Sequence, residues 1–400
     1  MKILNILAQK PHSTGSGVYL TELVKAFDIL DCEQVVVAGM YKDDQVEFPP
    51  NVKFCPVFYK TDELPFAIPG MTDQMPYEST VYSQMTEEMI NSFKNVFLEK
   101  LKNIIDNFNP DLILCHHLYL LTALVRENFP NYRIACVCHG TDIRQIKKNQ
   151  LENEYIKENI RKLDLIFALH EEQREDIAIT YGVDKSKIKV IGSGYNNSIF
   201  YDMNLIKDTN HINLIYAGKL NQKKGVMNLV KSLENLPYER RDKLTLKLAG
   251  GNGNNEEYDM LLELISNCKY PVKLLGKLNQ QELAYEFNSS DIFILPSFFE
   301  GLPLVLIEAL ACGLKVISTD LPGVKDWMDK NVPNNNITYI TLPTLINTDE
   351  PRLEELPLFE QNIANAIISC VNKSYDNTIN LNDISWDGVG KRIMNLITLN

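Results

Sequence analysis

Short runs of apolar, β-branched residues alternate with longer stretches of helical periodicity along the whole chain. This alternation is typical of parallel βαβ units, in which a helix follows each buried strand. The clearest helical stretches are 87–108 and 151–163. The predicted strands are 3–8, 34–38, 112–115, 134–138, 165–169 and 188–191 in the first half, and 214–217, 244–249, 272–275, 292–295 and 316–318 in the second.

The pattern breaks after Ile191 and restarts at Leu214. The intervening GSGYNNSIFYDMN is rich in Gly, Asn and Ser and has little periodicity, which is typical of a domain boundary. A chain of 400 residues is also long for one hydrophobic core. We therefore predict an α/β protein with two doubly wound, Rossmann-like domains facing a cleft. The expected domains are 1–196, completed by a carboxyl-terminal helix at 380–400, and 197–379.

Composition narrows the class of protein and partner. The chain is 45% hydrophobic and 23% charged, as ordinary globular proteins are. A formal net charge of −12 without a basic stripe argues against nucleic acid as a partner. The first apolar run is shorter than a signal-peptide core, and no run of about 18 apolar residues predicts a transmembrane helix. We expect a cytoplasmic protein, and contact with the inner face of a membrane stays open.

The eight cysteines lie mostly in apolar runs and form no C-x-x-C pair, so we interpret them as reduced core residues. Cys136 and Cys138 are two apart on a predicted strand and would share one face, which leaves metal binding as an alternative. Burial as small apolar side chains is favoured, because no other ligands with zinc spacing accompany them.

Residues 54–83 fit the alternation poorly. The string ELPFAIPGMTDQMPYES within them is too irregular for one helix and too apolar for a solvated loop. Two interpretations stay open: a functional insertion, or a structural excursion that packs on its own domain.

The loop after 292–295 carries the clearest chemistry, since ligands of open α/β sheets bind beyond the carboxyl ends of strands. In PSFFEGLPLVLIEALACG, Glu300 and Gly301 are predicted in the loop, with Pro303 in the first turn of a helix and Glu308 inside it. The unpaired amides of a helix start bind phosphate, and the two carboxylates can accept hydrogen bonds from sugar hydroxyls. The alternatives are a Glu308 neutralised by a buried lysine and a solvated Glu300.

The seven-residue interval between Glu300 and Glu308 resembles the E-x7-E motif of the family-four retaining glycosyltransferases, group 1. The surrounding LPSFFEGLPLVLIEALACGLKVIST is similar to that family almost position by position. YAGKLNQKKG resembles the family's G-R-L-x-x-x-K-G segment, KLAGGNG the loop after the next strand, and VKLLGKLNQQELAYEFNSSDIFILPS the uracil-side strand and helix.

This resemblance implies the GT-B fold and an enzyme of EC 2.4 type. The expected reaction moves a hexose or N-acetylhexosamine from a nucleotide diphosphate sugar, with UDP favoured, to an unidentified acceptor. It further implies retention of anomeric configuration and no metal or other cofactor. Two alternatives stay open: an epimerase or phosphorylase of the same fold, and a non-catalytic nucleotide-sugar-binding subunit.

The resemblance also implies site residues. Glu300 is expected to contact the donor sugar and Glu308 the ribose. Lys219 and Lys224 are expected to neutralise the diphosphate, although Arg is usual at position 219 and Lys offers only a point charge. Ordinary solvated lysines are the alternative. The other implied donor-site residues are Gly250, Lys277, Leu278, Gly301, Leu302 and Leu304.

Two loops of the amino-terminal half complete the resemblance. KPHSTGSGVYLTELVKAF opens a helix after the first strand, and Gly15 and Gly17 would let the backbone approach the diphosphate and acceptor, although packing alone also explains a G-x-G. In CHGTDIRQ, His139 matches the family histidine that faces the donor sugar. HGTD resembles the branch that makes glucosaminyl malate for bacillithiol. A structural, hydrogen-bonded histidine is the alternative. The expected catalytic set is His139, Glu300, Lys219 and Lys224.

The acceptor site is assigned by position alone, to His116, His117, Asp142 and Arg144. The two histidines end the predicted strand 112–115 and are expected to point toward the cleft. Arg144, with Lys147 and Lys148, could attract an anionic acceptor or lipid headgroups, although a solvated helix face is favoured. The acceptor itself is expected to be a small molecule, a glycan or a lipid-linked group.

Overall fold

The computed structural model describes residues 1–251, 255–347, 349–373 and 379–398, and strands and helices alternate through them. The strands are β1 (Lys2–Leu7), β2 (Glu33–Met40), β3 (Lys53–Phe54), β4 (Val57–Phe58), β5 (Pro69–Gly70), β6 (Thr80–Val81), β7 (Leu112–His116), β8 (Ile134–Val137), β9 (Leu165–Ala168), β10 (Ile188–Val190), β11 (Ile212–Ala217), β12 (Leu244–Ala249), β13 (Val272–Gly276), β14 (Ile292–Leu295), β15 (Lys315–Thr319) and β16 (Thr338–Ile340). The helices are α1 (Gly15–Ile29), α2 (Glu87–Phe108), α3 (Leu120–Asn128), α4 (Thr141–Lys148), α5 (Asn153–Arg161), α6 (Glu171–Tyr181), α7 (Val226–Ser232), α8 (Asn255–Asn267), α9 (Gln280–Asn288), α10 (Leu304–Ala311), α11 (Val324–Asn331), α12 (Leu356–Asn372) and α13 (Trp386–Thr398).

The first compact unit comprises Met1–Ser193 and helix α13. Its main sheet is parallel, in the order β10-β9-β8-β7-β1-β2-β3, and β4 also pairs with β2. From β1 the chain builds outward to β2 and β3, and then restarts on the other side at β7. This reversal makes the carboxyl ends of β1 and β7 the topological switch point, where open α/β sheets bind ligands.

These strands form because helices cover both faces of the sheet, which leaves a parallel strand no solvated side. In β1, residues 3–7 are all buried, and the one polar side chain among them, Asn5, donates to Gln34 at 3.2 Å. Each strand predicted from an apolar run is confirmed, with no end shifted by more than two residues.

Helix α2 shows how the helical pattern works. Thr86 caps its start by accepting from the amide of Met89 at 3.3 Å, and two acidic residues occupy the first turn, where the helix dipole favours them. Its buried side chains recur every three or four residues, so one face packs on the core. The helix ends at Phe108, and the following Asn109 caps it with a left-handed backbone whose φ is 48°. Its predicted bounds are confirmed, whereas the predicted helix 151–163 shortens to α5.

The irregular segment 54–83 packs on its own unit. Its buried apolar side chains are part of the hydrophobic core of the first unit, and the segment contains the short strands β4, β5 and β6. Two buried glutamines fix it to the carboxyl edge of the sheet: Gln9 donates to the carbonyl of Pro69 at 2.9 Å, and Gln145 to that of Met71 at 2.8 Å. The structural interpretation of this segment therefore holds, and the segment also borders the loops after β1 and β8.

The second unit, Gly194–Ser385, contains a parallel sheet in the order β13-β12-β11-β14-β15-β16. Here the chain builds from β11 to β13 and then restarts at β14 on the other side of β11. The switch point of this unit thus lies at the carboxyl ends of β11 and β14. Its core is formed by side chains of the strands together with α7 and α12.

Some elements differ from expectation. The two-residue strands β3 to β6 and strand β16 were not predicted. The carboxyl-terminal helix begins at Trp386 rather than at 380, because residues Asn382–Ile384 form a 3-10 turn, and positions 399 and 400 lie outside the described residues. Among the residues described, no helix is long and apolar enough to span a bilayer.

Candidate functional site

The loops of the second unit that carry the predicted donor site lie at one edge of its sheet. Strands β13, β12, β11 and β14 are adjacent and parallel, so their carboxyl ends share that edge. The structure therefore brings together the predicted residues that follow these strands: Lys277 and Leu278 after β13, Gly250 after β12, Lys219 and Lys224 after β11, and Glu300, Gly301, Leu302 and Leu304 after β14.

The turn that holds Lys224 is shaped by close backbone packing. Asn221 begins a 3-10 turn, and its side chain accepts from the amide of Lys224 at 3.1 Å. Gly225 follows with a φ of 66°, and a Cβ at this position would lie 2.0 Å from the carbonyl oxygen of Pro296. Only glycine allows both the left-handed backbone and this contact. The turn after β11 thereby packs directly on the loop after β14.

An ion pair joins these two loops. The ammonium of Lys224 lies 2.7 Å from Oε1 of Glu300 and also donates to the carbonyl of Phe299 at 3.3 Å. The buried hydroxyl of Ser297 donates to the same Oε1 at 2.8 Å. The side chains of Lys224 and Glu300 are 27% and 18% exposed, so both remain accessible to a ligand. The structure thus holds a cation and a carboxylate in fixed positions at the switch point.

Further positive charge lies next to this pair. Part of the Lys219 side chain is exposed, but its ammonium is partly withdrawn from water, which lowers its pKa, and the charges of Lys224 and Lys277 lower it further. The ammonium groups of Lys224 and Lys277 therefore both lie within electrostatic reach of Lys219. The side chain of Lys277 packs over Gly251, and a Cβ added at Gly251 would lie 2.3 Å from Cε of Lys277. Together these lysines favour an anion at this edge of the sheet.

Helix α10 adds backbone donors to the same edge. It begins after Pro303, which precedes the helix rather than occupying its first turn as predicted, and no side chain caps this start within the described chain. Uncapped amides at a helix start attract anions. Glu308 lies one turn into the helix and is 9% exposed. Its contact with a ribose remains a prediction.

In the first unit, the predicted glycine loop is the start of α1. Thr14 caps the helix by accepting from the amide of Gly17 at 3.2 Å. A Cβ at Gly17 would lie 2.5 Å from the carbonyl oxygen of Lys10, so this glycine is required by packing. A Cβ at Gly15 would meet nothing within 4 Å. Gly15 therefore borders open space, whereas Gly17 is buried, and contact of either glycine with a ligand remains a prediction.

A cluster of three histidines and one aspartate lies beyond the carboxyl ends of β7 and β8. Nδ1 of His116 is 3.1 Å from Nε2 of His139, and the two rings stack with an interplanar angle of 12°. Nδ1 of His117 bonds to Oδ1 of Asp142. The other oxygen, Oδ2, accepts from the amides of His139 at 2.9 Å and Leu118 at 3.3 Å. The aspartate thus joins the loop after β7 to the loop after β8.

The burial of this cluster corrects part of the predicted acceptor site. Asp142 is fully buried, and His116 and His117 are 2% and 4% exposed, which leaves them no surface for an acceptor. Strand β7 ends with His116, and His117 then adopts a left-handed backbone with a φ of 73°. Only His139 keeps a partly exposed side chain. It is therefore the member of the cluster that can contact a ligand.

The charges of the cluster follow from this burial. Burial, assisted by the neighbouring His117, lowers the pKa of His116 to about 3. Burial also holds the pKa of His139 well below its usual range, assisted by His117 and His116. For Asp142, burial raises the pKa, but His117 and the hydrogen bonds from His117 and His139 outweigh it and place the pKa at about 2. At neutral pH the cluster contains one carboxylate and neutral His116 and His139.

The remaining predicted residues lie on α4. Arg144 is half-buried and Lys147 is exposed, while Lys148 pairs with Asp73 of the irregular segment. The cysteines are free thiols, and Cys136 and Cys138 are buried. Among the described residues, no group of three or more His, Cys, Asp or Glu side chains is placed to hold a metal ion.

Two residues of this site were not predicted. Ser297 lies inside the motif that pointed to Glu300, yet its hydroxyl has no distinctive sequence signal. Tyr19 packs the edge of its ring on His139 at 5.3 Å between ring centroids and on Trp386 at 4.7 Å, and its hydroxyl donates to the carbonyl of Gly192 at 2.8 Å. Its position one turn beyond the glycines of α1 is the only signal in the sequence.

Comparison with known proteins follows the same division of the chain. Residues 13–198 match the family described as Glycosyltransferase Family 4, and residues 201–339 match the family described as Glycosyl transferases group 1. Among solved structures, sucrose-phosphate synthase from Thermosynechococcus elongatus has a TM-score of 0.67 at 16% identity and covers 100% of this chain and 98% of its own. HepE of Anabaena in complex with UDP has a TM-score of 0.65 at 15% identity, with 100% of both chains covered. These neighbours have the GT-B fold.

Curated relatives are similar over parts of their length. A glycosyltransferase of Methanocaldococcus jannaschii is 24% identical over 56% of this chain and 57% of its own. A D-inositol 3-phosphate glycosyltransferase of Pseudarthrobacter chlorophenolicus is 30% identical over 36% of each chain. The N-acetyl-alpha-D-glucosaminyl L-malate synthase of Bacillus anthracis is 22% identical over 68% of this chain and 72% of its own. The chain thus spans about half the length of the first of these relatives.

Proposed function

Because the chain belongs to the family 4, group 1 glycosyltransferases, we propose that it transfers a hexose or N-acetylhexosamine from a uridine diphosphate sugar to a hydroxyl-bearing acceptor with retention of configuration. The observation that carries this proposal is the ion pair between Lys224 and Glu300 at the switch point of the second unit. In this pair a cation suited to phosphate lies beside a carboxylate that can accept hydrogen bonds from sugar hydroxyls, which supports the proposal.

The diphosphate is the part of the donor that this edge fits best. Desolvation lowers the pKa of Lys219, and the charges of Lys224 and Lys277 lower it further, so an anion next to Lys219 would offset the repulsion that it experiences. The uncapped start of α10 contributes backbone amides from the other side of the switch point. These cations and amides provide the positive potential that a departing diphosphate needs, and the proposal requires no metal ion for that purpose.

The chemical step that fits this arrangement is attack from the face that the leaving group departs from. The acceptor oxygen forms a bond to the anomeric carbon while the bond from that carbon to the phosphate oxygen breaks, and the acceptor proton passes to the departing phosphate oxygen. Lys219, Lys224 and the α10 amides stabilise the diphosphate, whereas Glu300 holds the donor sugar. The configuration is retained, and no side chain acts as the nucleophile.

The relatives support UDP and small acceptors as the first candidates. HepE has been solved with UDP and with UDP-glucose. Two curated relatives are named for D-inositol 3-phosphate and L-malate, which are both small anions that carry hydroxyl groups. We take acceptors of this chemistry as the first class for this chain.

Thermal unfolding in the presence of a panel of nucleotide sugars tests the donor half. A ligand at 100 times its dissociation constant stabilises the folded protein by about 2.7 kcal/mol, which is readily measured. We expect UDP sugars to raise the unfolding temperature and GDP sugars to leave it unchanged. The opposite order would overturn the choice of base.

The transfer itself is tested by incubating the preferred donor with inositol phosphate, malate and uncharged polyols, and by reading the anomeric configuration of the product by NMR. Release of UDP only when acceptor is present, with a retained linkage, is the expected result. Inversion refutes the proposed chemistry. Conversion of the donor without acceptor would instead identify an epimerase, and conversion that requires phosphate a phosphorylase.

A further inference from the structure

The hydrogen bonds around His139 determine which of its ring nitrogens carries a proton. We propose that His116 is a positioning residue that donates from Nδ1 to Nε2 of His139, so that His139 presents a protonated Nδ1 to an oxygen atom of a bound ligand. The identity of that ligand rests on the proposed function, whereas the protonation pattern rests on the first unit alone.

The first step is that Asp142 fixes the backbone of the loop that bears His139. Oδ2 of Asp142 accepts from the amide of His139 at 2.9 Å, and its other oxygen takes Nδ1 of His117. In the described chain, Asp142 makes its hydrogen bonds with the ring of His117 and with two backbone amides, not with the ring of His139. The ring partner of His139 is instead the imidazole of His116, at 3.1 Å.

The second step is an account of the protons on this imidazole pair. Each neutral ring carries one proton, and only one of the two facing nitrogens can donate to the other. If Nε2 of His139 donated, the proton of His116 would sit on its own Nε2. That atom is buried and has no partner within the described residues. Buried N–H groups without an acceptor are rare.

The opposite assignment gives every proton an acceptor. With its proton on Nδ1, His116 donates to Nε2 of His139, and the atom left buried is a bare ring nitrogen. The proton of His139 then sits on Nδ1, on a side chain that stays partly exposed. Because His139 is the partly exposed member of the pair, a ligand oxygen can accept from this donor.

The third step is that both rings stay neutral, so that the pattern is stable. Burial lowers the pKa of both histidines, and the groups that face them are His117, Asp142 and the ring edge of Tyr19. The carboxylate is already occupied by His117 and two amides. A neutral His139 that presents N–H can hold an oxygen but cannot remove a proton from it. It therefore orients a ligand through that oxygen and does not act as a base.

The tautomers are measured directly on the full chain with 15N-labelled histidine. The protein has six histidines, so long-range 1H–15N correlation spectra are sparse, and they distinguish a protonated Nδ1 from a protonated Nε2. The signals that disappear from the spectrum in a His139→Ala variant are those of His139. We expect Nδ1–H for His139 and for His116. A protonated Nε2 on His139 would overturn the proposal.

The positioning role is tested by variants of His116. His116→Leu removes the donor, and we expect the 15N shifts of His139 to move to those of a mixed tautomer population. His116→Asn keeps an amide N–H near the place of Nδ1 and is expected to restore the Nδ1–H signal. Unchanged shifts of His139 in His116→Leu contradict the role. If this variant does not fold, the tautomer of the unmodified protein still decides the main point.

A matched control comes from another buried histidine of the same unit. His170 caps α6 by accepting from the amide of Gln173 at 3.2 Å, outside the cluster. His170→Asn retains a capping acceptor and should leave the His139 signal unchanged; a shift comparable with that of His116→Leu would show that the effect is not specific. Binding of UDP is measured separately, so a protein that fails to bind UDP but shows the expected tautomers refutes the proposed function and not this inference.

Discussion

The two partners of the Lys224–Glu300 pair should respond differently to substitution. Loss of the lysine charge should weaken UDP binding, whereas loss of the glutamate charge should not. In the free protein the two groups lie 2.7 Å apart, and Ser297 also donates to Glu300. Lys224→Met removes a cation that would bind phosphate. Glu300→Gln keeps the shape and the acceptor for Ser297 but removes the charge that competes with phosphate for Lys224.

The magnitudes follow from the strength of each contact. A hydrogen bond to a charged group contributes about 1.5–3 kcal/mol, so Lys224→Met should weaken UDP binding by roughly 10- to 150-fold. The pair is partly exposed, and pairs of that kind contribute about 0–1 kcal/mol. Glu300→Gln should therefore leave UDP affinity unchanged or tighten it by up to roughly fivefold. Transfer activity should nevertheless fall in this variant, because the donor sugar loses a carboxylate.

Isothermal titration with UDP measures both effects, and Lys223→Met is the matched control. Lys223 lies in the same turn, but its ammonium bonds to both oxygens of Asp349 at 3.0 Å. This control should lower thermal stability, because the largely buried Asp349 loses its ion pair with Lys223, and should leave UDP affinity within roughly twofold. The reasoning is refuted if Glu300→Gln weakens UDP binding as much as Lys224→Met does, or if the control matches Lys224→Met.

Three further predictions concern stability. Gly225→Ala should destabilise the second unit, since a left-handed backbone at a non-glycine residue costs about 1–3 kcal/mol before the clash with Pro296 is counted; urea unfolding measures this, and an unchanged midpoint would contradict the assigned contact. Trp386→Ala should cost about 3–5 kcal/mol in the first unit, because the ring is 5% exposed and packs on Tyr19; a loss below roughly 1 kcal/mol would show that α13 is dispensable there. Stability should also fall as pH drops from 6.5 toward 4, because His116 and His170 have folded-state pKa values of about 3 and 4, below the unfolded value, and each takes up a proton on unfolding. Each histidine contributes a slope of at most about 1.4 kcal/mol per pH unit. Urea titrations at several pH values measure this slope, and a flat profile would contradict the burial of these rings.

The strands were predictable because a strand that is buried on both faces consists of consecutive apolar residues. The run from Leu244 to Ala249 needs no tertiary information, and its predicted bounds are those of β12. Helix α2 was predictable for the same reason, through its repeating buried face and its cap at Thr86. The two-residue strands β3 to β6 were not, since so short a pairing depends on the neighbouring strand rather than on a local pattern.

The residues expected at the donor site could be proposed from the sequence, but their contacts with one another could not. Lys224 and Glu300 meet only because β11 and β14 are adjacent in the sheet, and no local rule states that adjacency. The same holds for Asp142, which as a polar residue after a strand looked like a ligand contact. Its three hydrogen bonds with groups on two loops make it an internal brace instead.

The discontinuous first unit has a consequence for synthesis. Residues 1–193 leave the ribosome first, but α13, which packs on α1 and places Trp386 against Tyr19, follows only after Gly194–Ser385. The second unit is continuous and can complete its sheet before its predecessor does. During translation the face of α1 that α13 covers therefore stays exposed until α13 has been synthesised. The unit that is synthesised first is thus the last to reach its final stability.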